Sequence, residues 1–188
     1  SVKKTIDISN NGERIVFITN GGTEIWRRVT DTTYTLEQTL GSGNNVNVRI
    51  NKTGDLLLTE NNVYSRTGIT WTLEVSISEP SYGTAVSSFA SFISMSNNGN
   101  RLILYDNATV NTKVGRFSIY DKLANNNWQL IATLDSLVSE LGQSSASLVH
   151  SFDMNEDGSI LVTSGLVSGI YVYDIDNEVI FNQRIKTN

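Results

Sequence analysis

The sequence predicts an all-β chain built from four similar repeats, and three observations support this fold class. A turn that ends in glycine recurs at intervals of 42, 45 and 59 residues, at Gly12, Gly54, Gly99 and Gly158. Each turn lies between two short apolar segments, and two further strand-like segments follow it. Periods of this length are typical of repeat arrays, and almost no segment has the spacing of a helix.

The first predicted strand of each repeat precedes the turn. Apolar residues stand six and four positions before each glycine, and a spacing of two places them on one face of a strand. These pairs are Ile6 and Ile8, Val48 and Ile50, Ile93 and Met95, and Phe152 and Met154.

The second strand follows the turn and is almost continuously apolar, as expected for a strand that is covered on both faces. We place these strands at residues 14–19, 56–59, 101–105 and 160–163.

The third strand carries a β-branched residue followed by an aromatic one. These pairs are Ile25 with Trp26, Val63 with Tyr64, Ile119 with Tyr120, and Val172 with Tyr173. The fourth strand begins with an aromatic residue or valine and has apolar residues two and six positions later. Even offsets predict that all three share one face. We therefore expect the residues at the second of these positions in the core: Leu36, Leu73, Leu130 and Phe181.

Four strands per repeat give sixteen short antiparallel strands. No repeat of this size can bury both sheet faces alone, whereas radial stacking buries each face against a neighbour. The sequence therefore predicts a β-propeller of four four-stranded antiparallel blades in a single domain, residues 1–188. We place the blades at about 3–43, 44–87, 88–145 and 146–188, with one helical turn at 136–141. The ring closes within one chain, is completed by a second chain, or stays an open sector.

The third repeat shows a resemblance to known families most clearly. It contains Ser-Asn-Asn-Gly-Asn-Arg-Leu at 96–102, Phe-Ser-Ile-Tyr-Asp at 117–121 and Asn-Trp-Gln-Leu at 127–130. This order resembles the WD-type and integrin-type (FG-GAP-like) propeller repeats, and the resemblance extends over nearly the whole chain. It implies one blade per repeat and a role as a binding platform. The Trp-Asp dipeptide of strict WD repeats is absent, and only Tyr120-Asp121 and Tyr173-Asp174 are similar to it.

Composition argues against several kinds of partner. The net charge is −5 and no basic run is longer than a pair, which argues against binding of a nucleic-acid backbone or a polybasic membrane contact. The chain has no cysteine, so a disulfide scaffold and a cysteine-ligated zinc site are excluded. No apolar run has the length of a membrane span, and the first residues do not resemble a signal peptide. We expect a soluble protein of unknown compartment.

One turn resembles the start of a calcium loop. Asp153, Asn155 and Asp157 alternate before Gly158, and alternating oxygen ligands before a glycine are typical of such loops. The twelfth position, which needs a bidentate acid, is Ser164, and the equivalent turns of the other repeats lack these acids. The pattern therefore favours an ordinary hairpin turn without a cofactor, with a calcium site as the alternative.

Nothing in the sequence singles out a catalytic site. His150 is the only histidine, and it supports neither a nucleophilic triad nor a multi-histidine metal site. We therefore expect a non-enzymatic binding or assembly module with a protein partner, and a homo-oligomer that completes a larger ring is an option. The alternatives are a carbohydrate- or receptor-binding domain of a cell or virion surface and a glycosidase-type propeller enzyme.

Three long connections are predicted to share one face of the propeller. They are residues 79–88, 107–115 and 135–147. Long loops on a rigid scaffold commonly carry binding sites. The candidate contact residues in these loops are Tyr82, Asn107, Asn111, Lys113 and Glu140.

Overall fold

The computed structural model of the chain describes residues 5–41, 47–80, 90–110, 113–135, 151–164, 170–175 and 180–185. Within these ranges the chain forms sixteen strands in four antiparallel sheets, each with its strands in sequence order. One 3-10 helix, Ala124–Asn126, is the only helical segment of the described part. These observations confirm the predicted fold class, an all-β propeller with four four-stranded blades.

The strand bounds follow the predicted repeats closely. Blade 1 contains β1 (Ile6–Ile8), β2 (Arg14–Thr19), β3 (Gly22–Arg28) and β4 (Tyr34–Leu40). Blade 2 contains β5 (Val48–Ile50), β6 (Leu56–Thr59), β7 (Asn62–Thr67) and β8 (Thr70–Ser76). Blade 3 contains β9 (Phe92–Met95), β10 (Arg101–Val110), β11 (Lys113–Lys122) and β12 (Trp128–Asp135). Blade 4 contains β13 (Ser151–Met154), β14 (Ile160–Ser164), β15 (Ile170–Asp174) and β16 (Ile180–Ile185).

The chain divides into two compact units. The first comprises Ser1–Ser78 with Asn97–Gly99 and holds blades 1 and 2. The second comprises Glu79–Ser96 with Asn100–Asn188 and holds blades 3 and 4. The assignment of all four blades to one domain stays a prediction. No helix in the described ranges is both long and apolar enough to cross a membrane.

One polar side chain closes the first hairpin of every blade. It stands three positions before the turn glycine, and its oxygen accepts a hydrogen bond of 2.8–3.0 Å from the backbone N–H that opens the second strand. Short side chains with an oxygen are well suited to such local bonds. The pairs are Ser9 with Arg14, Asn51 with Leu56, Ser96 with Arg101, and Asn155 with Ile160.

Each blade also has a β-bulge at the same place in its fourth strand. In blade 1, Trp26 pairs with Leu36 and Ile25 pairs with Gln38, so Glu37 is the extra residue. The same register shift occurs in the other three blades. A bulge of this kind changes which side chains face each side of the strand beyond it. The extra residues are Glu37, Glu74, Ile131 and Asn182.

The bulge shows that the predicted register of the fourth strand is wrong. Leu36 and Leu40 were expected on one face, yet Leu40 is 6% exposed and Leu36 is 47% exposed. Leu73 and Leu130 are exposed as well, at 53% and 38%. Counting in steps of two fails here because the extra residue interrupts the alternation. The side chain of Phe181 lies outside the described part of the structure.

Each unit has one apolar core in which two blades pack face to face. In the first unit, Val16, Ile25 and Leu40 of blade 1 belong to one buried cluster with Val48 and Leu57 of blade 2. This mutual covering is the arrangement that the repeat pattern predicted.

The core of the second unit is mainly aromatic. The ring centroids of Tyr105 and Phe117 are 4.8 Å apart, and Phe117 meets Phe152 of blade 4 edge-on at 5.1 Å. Such tilted contacts add to the stability that burial provides. Burial, together with the charge of Asp106, raises the pKa of the Tyr105 hydroxyl to about 12.

The outer faces of blades 1 and 4 differ from the prediction. The second strands of blades 2 and 3 are buried on both faces, as expected, over β6 and the first half of β10. In β14, by contrast, Ile160 and Val162 are exposed, and in blade 1 the paired residues Ile6 and Ile8 of β1 are exposed. In these two sheets only the face that belongs to the core of its own unit is buried, and the opposite face is open to water.

An arginine at the start of the second strand packs over the turn of the next blade in both units. Arg14 is bound by the buried carboxylate of Glu37, and its Cδ lies beside Gly54. Arg101 forms a two-pronged ion pair with Asp121 at 2.6 and 2.8 Å and donates a third hydrogen bond to the carbonyl of Gly158 at 2.9 Å. Bidentate pairs of this kind fix the guanidinium plane.

We expect Ile119→Ala and Leu130→Ala to differ clearly in stability. Ile119 is fully buried, so its truncation should lower the free energy of unfolding by about 2–5 kcal/mol. Leu130 is partly in water already, so its truncation should cost about 1 kcal/mol or less. Urea denaturation measures both values. Equal losses would show that the bulge of β12 is absent in solution.

We expect Gly158→Ala to destabilise the protein more than Gly68→Ala. Both glycines have a positive φ, +82° and +63°, which costs a residue with a Cβ about 1–2 kcal/mol. A Cβ at Gly158 would also lie 3.0 Å from Arg101, whereas none of the structure approaches within 4 Å at Gly68. The larger loss at Gly158 should shrink in part in an Arg101→Ala background, which removes the contacts of Cγ and Cδ and keeps that of Cβ at 3.0 Å. A melting temperature equally lowered by both substitutions would argue against the packed arginine.

Candidate functional site

The three candidate calcium ligands lie in and after β13, and each is bound within the protein. Asp153 Oδ1 accepts hydrogen bonds from the Ser94 hydroxyl and from the backbone N–H of Met154. Asn155 Oδ1 accepts the N–H of Ile160 and so serves as the turn-closing residue of blade 4. Asp157 Oδ1 accepts the N–H of Ser159. The turn thus has the hydrogen bonding of an ordinary hairpin, and calcium stays an untested alternative.

The electrostatics of Asp157 agree with this role in the turn. The backbone N–H of Ser159, with its hydroxyl, lowers the pKa of the exposed Asp157 carboxyl below its usual value. Hydrogen bonds to the ionised form have this effect without a metal ion. Within the described ranges, no three His, Cys, Asp or Glu side chains are grouped so that they could hold a metal ion.

The predicted loop contacts are only partly within the described residues. Tyr82, Asn111 and Glu140 lie outside them. Asn107 belongs to β10 and Lys113 to β11, because these strands continue pairing as far as Val110 with Lys113. Most of the segment predicted as a long loop is therefore a strand pair with one irregularity between Asp106 and Thr109. β-Branched residues such as Thr109 and Val110 favour this extension.

A pocket of about 200 Å³ lies on blade 4. It spans the first three strands of the sheet and combines hydroxyl groups with an apolar wall and one carboxylate. Concave sites with an apolar lining and a few convergent polar groups are typical of small-molecule sites. The lining residues are Ser151, Phe152, Asp153, Val162, Thr163, Ser164 and Ile170.

Asp153 is the one ionisable group in the lining of this pocket within the described residues. Its Oδ1 is 2.8 Å from Ser94 Oγ and 3.0 Å from the N–H of Met154, so two donors fix the carboxylate plane. Ser94 itself is fully buried in β9 of blade 3. Its hydroxyl therefore positions the carboxylate and does not reach the pocket. A carboxylate held in this way can accept a proton from water or bind substrate hydroxyls.

Sequence reasoning found Asp153 for a different reason and missed Ser94. The two residues are 59 positions apart and lie on edge strands of different blades. A signal was nevertheless present, since each stands between the two apolar residues of a first strand. The equivalent residue of blade 1, Asp7, links blades in a similar way, because its Oδ2 accepts the N–H of Ile50 at 2.9 Å. The centre of the first strand is therefore a site of polar contact between blades.

Comparison with known proteins identifies similar structures but no family. No protein-family model matches the chain, and no curated protein is significantly similar. One similar solved structure is described as "a putative 6-phosphogluconolactonase from Bacteroides uniformis", with a TM-score of 0.64, 13% identity and coverage of 98% of this chain. A protein from Lactobacillus plantarum matches with a TM-score of 0.68, 10% identity and coverage of 97%. The chain spans only 56% and 57% of these two proteins. At such identities the likeness shows the fold.

This comparison corrects the functional expectation. The sequence pattern favoured a non-enzymatic binding or assembly module, but the fold matches, over nearly the whole chain, a protein named as a lactone hydrolase. The step from a propeller fold without histidine or cysteine chemistry to a non-enzyme was therefore wrong, because a protein of similar fold is named for an enzymatic activity. A carboxylate on a propeller blade needs neither.

The hydrogen bond between Ser94 and Asp153 should be measurable as a coupling energy. Since Asp153 is partly exposed, we expect a double-mutant cycle of Ser94→Ala and Asp153→Asn to give about 0.5–1.5 kcal/mol. Urea denaturation of the four proteins supplies the values. Strictly additive effects would mean that the two side chains do not bond in solution.

Proposed function

We propose that this chain forms part of a propeller hydrolase that opens a lactone ring. The observation that carries the proposal is the Asp153 carboxylate, held by Ser94 in the wall of a pocket of about 200 Å³. The fold likeness to a protein described as a 6-phosphogluconolactonase suggests the class of reaction. Because the chain spans little more than half of that protein, further blades outside this chain are part of the proposal.

The chemistry requires a base and a proton donor. Water attacks the lactone carbonyl, and a proton leaves the water as the new C–O bond forms. Asp153 accepts that proton, and the ring oxygen takes it up when the ester bond breaks, which yields a hydroxy acid. The hydroxyl of Ser151, which the strand register places on the same face as Asp153, supplies a hydrogen-bond donor for the carbonyl oxygen of the substrate. Ser94 acts through Asp153 as a positioning residue.

The pocket favours a small, uncharged lactone. Its volume lies just below the range usual for drug-sized ligands, which suits a single sugar ring. None of the lining residues within the described part of the chain is basic, so a phosphate group would find no cationic partner there. We therefore propose a neutral sugar lactone, rather than a phosphorylated one, as the better substrate.

Kinship with WD-type or integrin-type repeats is a finer proposal about ancestry. It is supported by the shared order of turn, apolar strand and aromatic strand in each blade.

Acid release from glucono-δ-lactone in a pH-stat tests the function. We expect the purified chain to exceed the spontaneous rate and Asp153→Asn to lower kcat/KM by about 10²–10⁴-fold, the usual contribution of a general base. Ser94→Ala should lower kcat more than it changes KM. Phosphorylated gluconolactone should be hydrolysed less well.

Asp157→Asn is the matched control. It makes the same change of charge four residues further along the chain, outside the pocket lining, and should leave the rate unchanged. No acceleration with either lactone, or full activity in Asp153→Asn, would rule out this function.

A further inference from the structure

Two sheet faces of the chain expose apolar side chains at positions that are buried in other blades. The entry face of blade 1 consists of Ile6, Ile8, Ile15 and Phe17, which the strand register places together. Ile6 and Ile8 are 66% and 52% exposed. The residues at their positions in blades 2 and 3 are all buried: Val48, Ile50, Ile93 and Met95.

The exit face of blade 4 consists of Ile160, Val162, Ile170 and Val172. Val162 pairs with Val172, so both point to the same side of the sheet. Val162 is 39% exposed, whereas the residues at its position in the other blades are fully buried. These residues are Val16, Leu58 and Ile103. Monomeric proteins rarely leave such apolar areas in water without a partner.

The two units show what covers a face of each kind. In the first unit the exit side of blade 1, with Val16 and Ile25, packs on the entry side of blade 2, with Val48 and Leu57. In the second unit blade 3 packs on blade 4 through the same two sides. An entry face is therefore built to receive an exit face of the same repeat pattern.

A polar clamp accompanies this packing in the first unit, and blade 4 has a glutamine at the equivalent position. The side-chain amide of Gln38 in blade 1 donates to the carbonyl of Trp71 in blade 2 at 2.9 Å and accepts its N–H at 2.8 Å. In blade 1, Gln38 pairs with Ile25 of the third strand. In blade 4, Gln183 pairs with Val172, the residue equivalent to Ile25. The residue of blade 1 that corresponds to Trp71 is Tyr34. The register thus places a glutamine of blade 4 where the clamping residue of blade 1 stands.

We propose that two copies of this chain associate head to tail, with the exit face of one on the entry face of the other. Each copy has one face of each kind, and both are exposed in the single chain. Two copies supply eight blades, the upper end of the usual range for propellers. The aligned part is 56–57% of the similar proteins, so a pair slightly exceeds their length. Contacts between unlike faces close into a ring when the geometry allows.

Association and turnover are separate predictions. The pocket lies on the exit face of blade 4, since Val162 and Ile170 belong to both, so a docked copy would cover part of the pocket. The association is argued from the apolar faces and does not depend on the proposed reaction. The molecular mass of the assembly tests the one, and lactone hydrolysis tests the other.

Sedimentation of the purified chain and three variants tests the association. We expect twice the chain mass for the original protein and the single chain mass for Ile8→Asp and for Val162→Asp. Ile69→Asp is the control, because Ile69 is 62% exposed in the turn between β7 and β8 and belongs to neither face. It should keep the double mass. Circular dichroism confirms that each variant is folded.

Mixing the Ile8→Asp and Val162→Asp variants shows whether association joins unlike faces or identical faces. Ile8→Asp retains an intact exit face and Val162→Asp retains an intact entry face, so the mixture should recover one junction and associate. Recovery is impossible if the protein pairs through identical faces. A single-chain mass for the unmodified protein, or no effect of either variant, would overturn the proposal.

Cross-linking separates association between copies from closure within one chain. The hydroxyl oxygens of Thr23 and Thr59 are 3.3 Å apart across the junction of blades 1 and 2. In the proposed junction between two copies, Ile170 of blade 4 takes the place of Thr23, and Phe17 of blade 1 takes the place of Thr59. The chain has no cysteine of its own. The variant with Phe17→Cys and Ile170→Cys should form a disulfide-linked two-chain species on a non-reducing gel. A disulfide within one chain would overturn the proposal, and so would the absence of any link.

Discussion

The structure depends on the mutual covering of sheet faces. A four-stranded sheet has two faces. The apolar residues of a face are buried only if another sheet packs against that face. In the first unit Val16 and Ile25 meet Val48 and Leu57, and in the second Phe117 meets Phe152 edge-on. The gain from this burial, about 25 cal/mol for each Å², explains why the same apolar positions recur in every repeat although the polar residues between them vary.

Polar contacts at fixed repeat positions determine how one blade meets the next. Arg14 and Arg101 pack over the turns of the following blades, and carboxylates hold both guanidinium groups. Asp7 in the first unit and Ser94 in the second bond to the first strand of the next blade. The hairpin turns are short because one side chain closes each of them. Apolar packing thus supplies the free energy, and these directional bonds set the register between blades.

The candidate site uses the same polar position for a second purpose. Asp153 stands at the centre of a first strand, where side chains bond across blades, and it also lines a pocket. Two hydrogen-bond donors already fix this carboxylate, so little change is required for it to act as a base in hydrolysis. This accounts for a catalytic proposal in a chain whose single histidine and lack of cysteine gave no motif.

The sequence by itself determined the repeats, the order of strands, the turns and the fold class, because each follows from local periodicity and from the few residues that tolerate a tight turn. It placed the buried second strands of blades 2 and 3 correctly. Only the tertiary structure decided the position of Leu36 and Leu130, since a bulge breaks the alternation without a local signal. Only the tertiary structure joined Ser94 to Asp153 and left Ile6 and Val162 exposed. Contacts between distant segments and the presence or absence of a neighbouring blade are not encoded in the spacing of residues along one strand.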